Sequence, residues 1–117
     1  LYVTFAKMSW YEARDFCYKH NSVLASVGSN YETDRLVDFF KRVWSKWGDN
    51  VWVGGSKDDK GDWYWIRDGK RINYTNWAVG EPNDIKGSEN CLELLPNGKW
   101  NDIFCTVENY FACQIVK

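Results

Sequence analysis

Residues 77–105 read WAVGEPNDIKGSENCLELLPNGKWNDIFC and join a long polar loop to a tight hairpin. The loop, residues 75–90, is rich in Asn, Gly, Glu and Asp and follows no helical or strand period. Ordered loops of this length without secondary structure of their own are uncommon and usually functional. After the loop, Asn97-Gly98 separates the apolar run 91–95 from Lys99-Trp100, which predicts a β-hairpin. We therefore expect the functional groups in this loop and along this hairpin.

The carboxylate and amide side chains of this stretch are hard oxygen donors. Ca²⁺ takes about 6–8 such oxygens in irregular geometry, which a loop can supply. Zinc and copper favour imidazole and thiolate ligands, and the chain has a single histidine, His20. The composition predicts a Ca²⁺ site built from the oxygen donors of this stretch, which are Glu81, Asn83, Asp84, Glu89, Asn90, Asn101 and Asp102.

Pro82 lies within the oxygen-donor segment. A proline amide lowers the cost of a cis peptide bond to about 0.5–1 kcal/mol. A cis bond between Glu81 and Pro82 would turn the side chains of Glu81 and Asn83 toward one point. A trans bond would make Pro82 an ordinary turn residue, and the residues alone leave both alternatives open.

Length and composition indicate one compact domain that does not bind nucleic acids. The chain has 117 residues, of which 44% are hydrophobic, and eight tryptophans, so it has the apolar material for a core. Its formal net charge is −1, and it lacks the basic stripe that neutralises phosphates. No apolar stretch reaches the roughly 20 residues that cross a bilayer, so we expect no membrane insertion. No secretory signal is recognisable, and we interpret the sequence as a mature chain or an excised domain.

Four cysteines indicate an oxidising compartment. Their spacing matches no paired zinc or redox motif, and an even number in a short chain fits two disulfides. Cys17, Cys91, Cys105 and Cys113 allow three pairings. We expect the nested one, with Cys91–Cys105 inside Cys17–Cys113, because it would close one late loop and tie the two chain ends together.

Two helices are predicted before the long loop. Short strands are predicted before the helices, between the helices and the loop, and after the loop. Ser9-x-x-Glu12 and Ser29-x-x-Glu32 are capping boxes that open the helices, of which the second ends at Gly48. Strands are predicted at residues 1–6, 51–55, 63–66, 72–74, 91–95, 99–102 and 109–115, with 63–66 and 72–74 joined as a hairpin by Asp68-Gly69. This order of elements predicts an α+β domain.

The order of these motifs resembles the C-type lectin domain, in its short form and its mannose-type class. The resemblance covers residues 1–117 as a single carbohydrate-recognition domain. It implies an α+β C-type lectin fold, with two helices packed on small antiparallel sheets and a long polar Ca²⁺-binding loop. The matching positions are Glu12-Ala13…Cys17, Trp52-Val53-Gly54-Gly55, Trp77…Glu81-Pro82-Asn83, Glu89…Cys91, Trp100-Asn101-Asp102, Cys105 and Cys113.

The resemblance implies a secreted protein or a receptor ectodomain that binds glycans and glycoproteins without catalysis. Two adjacent hydroxyls of the sugar would complete the coordination of Ca²⁺. In this family Glu-Pro-Asn goes with mannose, GlcNAc, glucose and fucose, and Gln-Pro-Asp goes with galactose. A single shallow site would bind weakly, near millimolar, so oligomerisation would supply avidity. The implied Ca²⁺ ligands are Glu81, Asn83, Glu89, Asn101 and Asp102, and all but Asp102 would also hydrogen-bond the sugar.

We expect one principal Ca²⁺ site, and two further sites are candidates, the first from the same resemblance and the second from a sequon. Many relatives bind a second Ca²⁺, whose candidate ligands here are Asp58, Asp59, Asp84, Glu89 and Asn90, although Lys60 stands where an acid is usual. Asn73-Tyr74-Thr75 is an N-glycosylation sequon, and the alternative is that Asn73 makes only local turn contacts.

Two other functions compete with this interpretation. A lectin-like domain can bind a protein, or ice, without Ca²⁺, but all five ligand positions are retained here. A glycoside hydrolase could use Glu81 and Glu89 as its carboxylate pair, but such enzymes need an acid with a raised pKa, and a hydrophilic loop does not provide one. Trp77 and Trp100 could stack on a sugar, but we expect both in the core.

Overall fold

Two helices form where the capping motifs predict them. The structure is a computed structural model and describes residues 2–3, 6–43, 49–82 and 89–115. Helix α1, Trp10–Lys19, opens with a reciprocal capping box in which Ser9 and Glu12 each accept the other's backbone N–H. Helix α2, Asn30–Val43, opens with the Glu32 amide donating to Ser29 Oγ at 3.1 Å. The predicted end at Gly48 lies outside the described residues.

Within the described residues, seven strands form one sheet. They are β1 (Tyr2–Val3), β2 (Ser22–Leu24), β3 (Val51–Lys57), β4 (Trp63–Trp65), β5 (Cys91–Leu94), β6 (Trp100–Ile103) and β7 (Tyr110–Ile115). Their order is β1-β7-β3-β5-β6, with β2 also on β7 and β4 also on β3. The sheet is mixed, because β3 and β7 pair in parallel. The other strand pairs are antiparallel as expected, and β3 with β7 departs from this because no short turn joins these two strands and forces them to run in opposite directions.

The predicted hairpins differ in how completely they form. Around Asn97-Gly98, β5 and β6 pair over their whole length. Around Asp68-Gly69 only β4 is a strand, and the return is a single bridge between Tyr64 and Arg71. The predicted strand 72–74 is missing, because Tyr74 packs against the core and donates its hydroxyl to Asn30 of α2 at 2.7 Å. Strand β2 was not predicted, because three buried residues are too few to show a period.

The core lies on both faces of β3. Val51 and Val53 pack with α2 and the hairpin, while Trp52 packs with α1 and β7, as the alternation of a strand requires. Gly54 lets β3 approach β2, since a Cβ there would lie 2.7 Å from the carbonyl oxygen of Leu24. Neither helix, as far as the structure describes them, is long and apolar enough to span a membrane.

The two disulfides are the expected nested pair. Cys17–Cys113 links α1 to β7, and Cys91–Cys105 links the start of β5 to the segment after β6. The second bond therefore closes the hairpin at the end from which the long loop arrives. This disulfide thus holds the last part of the loop against the sheet. Hydrogen bonds to β6, described below, hold the first part.

Candidate calcium and sugar site

The hairpin of β5 and β6 carries two of the predicted ligands. In its register Asn101 lies opposite Glu93, and Asp102 lies opposite Leu92. Because side chains alternate between the faces of a strand, Asn101 shares a face with Glu93, and Asp102 leaves from the other face. Asp102 is fully buried. Since β6 is the last strand of the sheet, an ion at its outer edge could contact both residues.

Among the residues that the structure describes, none donates a hydrogen bond to the side-chain oxygen of Asn101. Its Nδ2 donates to Glu93 Oε2 at 2.7 Å. A carboxylate at neutral pH only accepts hydrogen bonds, so the nitrogen and not the oxygen of the amide must face Glu93. Asn101 Oδ1 is buried and accepts no hydrogen bond from any residue that the structure describes. Buried polar atoms without a partner are rare and call for an explanation such as a bound ion.

The first part of the long loop is tied to β6 beside Asn101. The Ala78 amide donates to the carbonyl oxygen of Trp100 at 2.8 Å, and the Trp100 amide donates to Asn76 at 2.9 Å. One turn further on, the Glu81 amide donates to Ala78 at 3.0 Å. The bond between Glu81 and Pro82 is cis, which is the first of the two alternatives. These bonds bring the backbone of Glu81 to the Trp100-Asn101 end of the hairpin.

The last part of the loop returns against β3. Glu89 is 3% exposed, two residues before Cys91. The carbonyl oxygen of Asn90 accepts from the Lys57 amide at 3.0 Å. Glu89 is therefore a buried carboxylate at the start of β5. Asn83 and Asp84 lie outside the described residues.

The carboxylates that the structure describes do not form a metal cage by themselves. Within the described ranges, no three His, Cys, Asp or Glu side chains are grouped closely enough to hold a metal ion. A cage would therefore need amide oxygens such as Asn101 Oδ1, together with a contribution from residues 83–88.

The candidates for a second site lie in an exposed turn. Asp58 and Asp59 are both exposed. Asp58 Oδ1 accepts the amides of Lys60 and Asp62, each at 2.9 Å. The hydrogen bond from Asp62 is the largest cause of a lowered pKa of Asp58, and Lys60 and Arg71 add to it. Arg71 also pairs with Asp62 at 2.7 Å, so cations of the chain itself already face this turn.

The remaining singled-out residues divide between core and surface. Trp100 is fully buried, and Trp77 packs against the same core with ring centroids 5.5 Å apart. The prediction that both tryptophans belong to the core is confirmed. Asn73 and Thr75 are exposed on either side of the inward-facing Tyr74.

Two residues of the site were missed by the sequence analysis. Glu93 is 3% exposed, and its Oε1 accepts from Asn109 Nδ2 at 3.0 Å. A charged residue between Leu92 and Leu94 in an apolar strand was a signal for Glu93. Asn109 gave no such signal, because its contact with Glu93 depends on the packing of distant segments.

Comparisons with known proteins identify the family of the chain. A sequence model of the lectin C-type domain matches residues 6–115. The chain belongs to the C-type lectin family. Hepatic lectin of Gallus gallus is 33% identical over 116 residues, covering 97% of this chain and 53% of that protein. Asialoglycoprotein receptor 2 of Homo sapiens is 34% identical over 113 residues, covering 91% of this chain and 34% of that protein. The chain thus spans about half or less of the length of these relatives.

Solved C-type lectin domains have the same fold. The carbohydrate-recognition domain of cow CD23, determined in the presence of a GlcNAc2Man3 oligosaccharide, has a TM-score of 0.84 at 32% identity and covers 99% of this chain and 87% of that one. A calcium-independent type II antifreeze protein has a TM-score of 0.81 at 29% identity and covers 96% of this chain and 82% of that one. Membership of a lectin family, whose domains bind carbohydrates without converting them, removes the hydrolase alternative.

Proposed function

We propose that the chain is an extracellular domain that binds mannose-type sugars through Ca²⁺. The observation that carries the proposal is the buried Asn101 Oδ1, which accepts no hydrogen bond from the described part of the chain. It lies on the same hairpin as the buried carboxylate Asp102, and Glu89 precedes that hairpin. The ion would be held by four residues that the structure describes and by Asn83, which lies outside the described residues. The four are Glu81, Glu89, Asn101 and Asp102.

The donor set fits Ca²⁺ better than a transition metal. All four cysteines are in disulfides, so no thiolate is available, and carboxylate and amide oxygens are the ligands that Ca²⁺ prefers. The ion, when bound, would supply the open coordination positions that two adjacent sugar hydroxyls fill. The proposed ligands are Glu81, Asn83, Glu89, Asn101 and Asp102.

The side chains around the ion would distinguish sugars by whether each sugar hydroxyl donates or accepts a hydrogen bond. Asn101 Nδ2 carries two hydrogens, of which Glu93 takes one, so the second is available to a sugar hydroxyl. The carboxylates of Glu81 and Glu89 can only accept from a hydroxyl. This alternation of donor and acceptor supports the proposed preference for mannose, GlcNAc or fucose over galactose.

We propose one principal Ca²⁺ rather than two. Asp58, Asp59, Asp84, Glu89 and Asn90 remain the candidates for a second ion. Asp58 already accepts two backbone amides, and Lys60 and Arg71 place positive charge at the same turn. A second dication would have to compete with these contacts.

Calorimetric titration with Ca²⁺, combined with retention on immobilised mannose, tests the proposal. We expect one bound ion per chain, retention in Ca²⁺ and release by EDTA. Because the ion would bind the folded chain, Ca²⁺ at about 100 times its Kd should add about 2.7 kcal/mol to the free energy of unfolding. Asp58→Asn is the matched control and should be retained like the wild type.

The opposite result would identify the second candidate function. The calcium-independent antifreeze protein has this fold, so the fold alone does not require the ion. If the wild type binds no Ca²⁺ at millimolar concentration and its thermal unfolding is unchanged by EDTA, the proposal is wrong. A Ca²⁺-independent domain that binds a protein would then be the better interpretation.

A further inference from the structure

We infer that Glu93, which is not among the proposed ligands, sets the orientation of the Asn101 amide and thereby the affinity for Ca²⁺. This inference rests on the proposed Ca²⁺ site. It assigns Glu93 and Asn109 as positioning residues that act through Asn101.

The geometry is a buried carboxylate between two side-chain amides. Glu93 Oε2 accepts from Asn101 Nδ2 at 2.7 Å, and Glu93 Oε1 accepts from Asn109 Nδ2 at 3.0 Å. Each amide therefore uses a different carboxylate oxygen. Both amides must present nitrogen to Glu93, because the carboxylate has no hydrogen to donate.

The network is anchored by three separate segments. Glu93 and Asn101 are directly opposite each other in the β5–β6 ladder. The backbone of Asn109 exchanges two hydrogen bonds with Met8, each 2.9 Å long. The backbones that carry the two amides are therefore fixed beside Glu93, and a buried carboxylate that lost one of its donors would be costly.

The consequence concerns the other end of the Asn101 amide. An asparagine amide can turn by 180° and exchange its oxygen for its nitrogen with little change of shape. In the observed orientation Oδ1 points away from Glu93 and is the atom that can ligate a cation. In the turned orientation an NH₂ group would face the ion. Glu93 prevents this turn, since Oδ1 would then face a carboxylate oxygen.

Replacing Glu93 with glutamine tests this polarity without changing size. In Glu93→Gln the side chain offers one oxygen and one NH₂ to two amide nitrogens, so one asparagine has to turn. Whenever Asn101 is the one that turns, the ligand oxygen is lost. Adding Asn109→Asp removes the conflict, because the new carboxylate accepts from the glutamine NH₂ and leaves the glutamine oxygen for Asn101. The double substitution also restores the net charge.

The test is calorimetric titration of four proteins with Ca²⁺. They are the wild type, Glu93→Gln, Glu93→Gln with Asn109→Asp, and Glu108→Gln. Loss of an outer partner of a metal ligand typically weakens metal binding about 10–100-fold, and we expect Glu93→Gln to lie in this range. The double variant should recover to within about threefold of the wild type, since both hydrogen bonds are restored. Glu108 is exposed, so Glu108→Gln should have no effect.

Thermal unfolding in EDTA distinguishes a role of Glu93 in orienting the Asn101 amide from a role in the stability of the fold. A merely structural role would lower the melting temperature without Ca²⁺ and would leave the affinity of the folded fraction unchanged. If Glu93→Gln is too unstable to measure, the double variant alone decides, because wild-type affinity supports the inference and a folded chain with weak affinity overturns it. Equal affinity of wild type and Glu93→Gln refutes the inference alone, whereas a wild type that binds no Ca²⁺ refutes the proposed function.

A second, independent observation concerns the sequon 73–75. We propose that Asn73 carries an N-linked glycan in the folded domain. Asn73 and Thr75 are exposed, while Tyr74 is fixed inward by its hydroxyl hydrogen bond to Asn30 and by its ring, 5.9 Å from that of Trp100. A glycan on Asn73 would therefore extend into solvent without displacing core residues.

Secretion of the chain from eukaryotic cells tests this modification. The wild type should lose mass on treatment with a peptide N-glycosidase, with deamidation at Asn73. Thr75→Ser keeps the sequon and should behave like the wild type, whereas Asn73→Gln and Thr75→Ala should show no mass loss. Secreted wild-type protein that is unaffected by the glycosidase overturns the proposal.

Discussion

Two acidic regions of the molecule satisfy their carboxylates in different ways. In the early acidic turn, residues 58–62, Asp58 is exposed and accepts backbone amides of its own turn, and Asp62 pairs with Arg71. In the acidic hairpin, residues 89–102, Glu89 and Glu93 are 3% exposed and Asp102 is fully buried. There Glu93 accepts from side-chain amides of other segments.

The difference supports placing the proposed site at the hairpin and not at the early turn. An exposed carboxylate is solvated by water and needs no particular partner, so the early turn is explained by local structure alone. Buried carboxylates are rare and are retained where hydrogen bonds or a bound cation compensate for the loss of water. The hairpin therefore concentrates charge at a cost that a bound dication would offset, and the early turn does not.

The largest expected effect is that of removing one charge from the hairpin. Asp102→Asn keeps the shape of the side chain and removes its charge. We expect Ca²⁺ to bind about 100-fold more weakly, since one lost charge beside a dication costs a few kcal/mol. Asp58→Asn makes the same chemical change in the early turn and should leave the affinity within about twofold of the wild type, because an exposed charge is screened.

Calorimetric titration of these two variants tests whether the two regions differ in function. Circular dichroism in EDTA checks that both variants are folded. Equal losses of affinity in the two would show that the early turn also holds the ion. No loss in Asp102→Asn would remove this residue from the proposed ligands.

Local chemistry explains how much of the fold could be predicted. The capping serines Ser9 and Ser29 and the turn Asn97-Gly98 act within a few residues, so both helix starts and the β5–β6 hairpin were predicted correctly. Strand β2 and the parallel pairing of β3 with β7 depend on contacts between distant segments. Such contacts leave no periodic signal in the chain.

The candidate site, like the fold, could be predicted where the signal is local and not where it depends on contacts between distant segments. Asn101 and Asp102 were singled out by their motif, and the structure brings the start of the loop to the same end of the hairpin through Ala78 and Trp100. Asn109 was missed, since its role comes only from its contact with Glu93 across the fold. The Asp68-Gly69 turn predicted a full hairpin, but packing of Tyr74 on α2 prevailed over the local signal.

A smaller effect is expected from reversing hydrogen-bond polarity in the long loop that precedes the acidic hairpin, while keeping the oxygen donors. Glu81→Gln with Asn83→Asp exchanges an acceptor and a donor and preserves the total charge. We expect the ratio of mannose to galactose affinity to fall about tenfold, since a mismatched polar contact costs about 1–3 kcal/mol. Competition of free sugars for an immobilised glycan measures the ratio.

The control for this exchange comes from the early turn. Asp58→Asn should leave the ratio of mannose to galactose affinity unchanged. A double variant that binds Ca²⁺ normally and keeps its mannose preference would show that neighbouring loops, and not the polarity of residues 81 and 83, set the selectivity.

The smallest expected effect belongs to the early turn and depends on pH. Amide hydrogen bonds, first that of Asp62, lower the pKa of Asp58 below its ordinary value of 3.8. A lowered pKa means that the ionised carboxylate favours the folded state, so its stabilisation is complete above pH 3.8 and is lost as the pH falls through the lowered pKa.

Asp58→Asn keeps an oxygen that accepts both amides and removes only the charge. The variant should therefore melt slightly below the wild type at pH 7 in EDTA, and the two melting temperatures should converge once the pH lies below the lowered pKa of Asp58, where both side chains are neutral. A difference that persists unchanged at that pH would mean that shape, and not charge, holds this turn together.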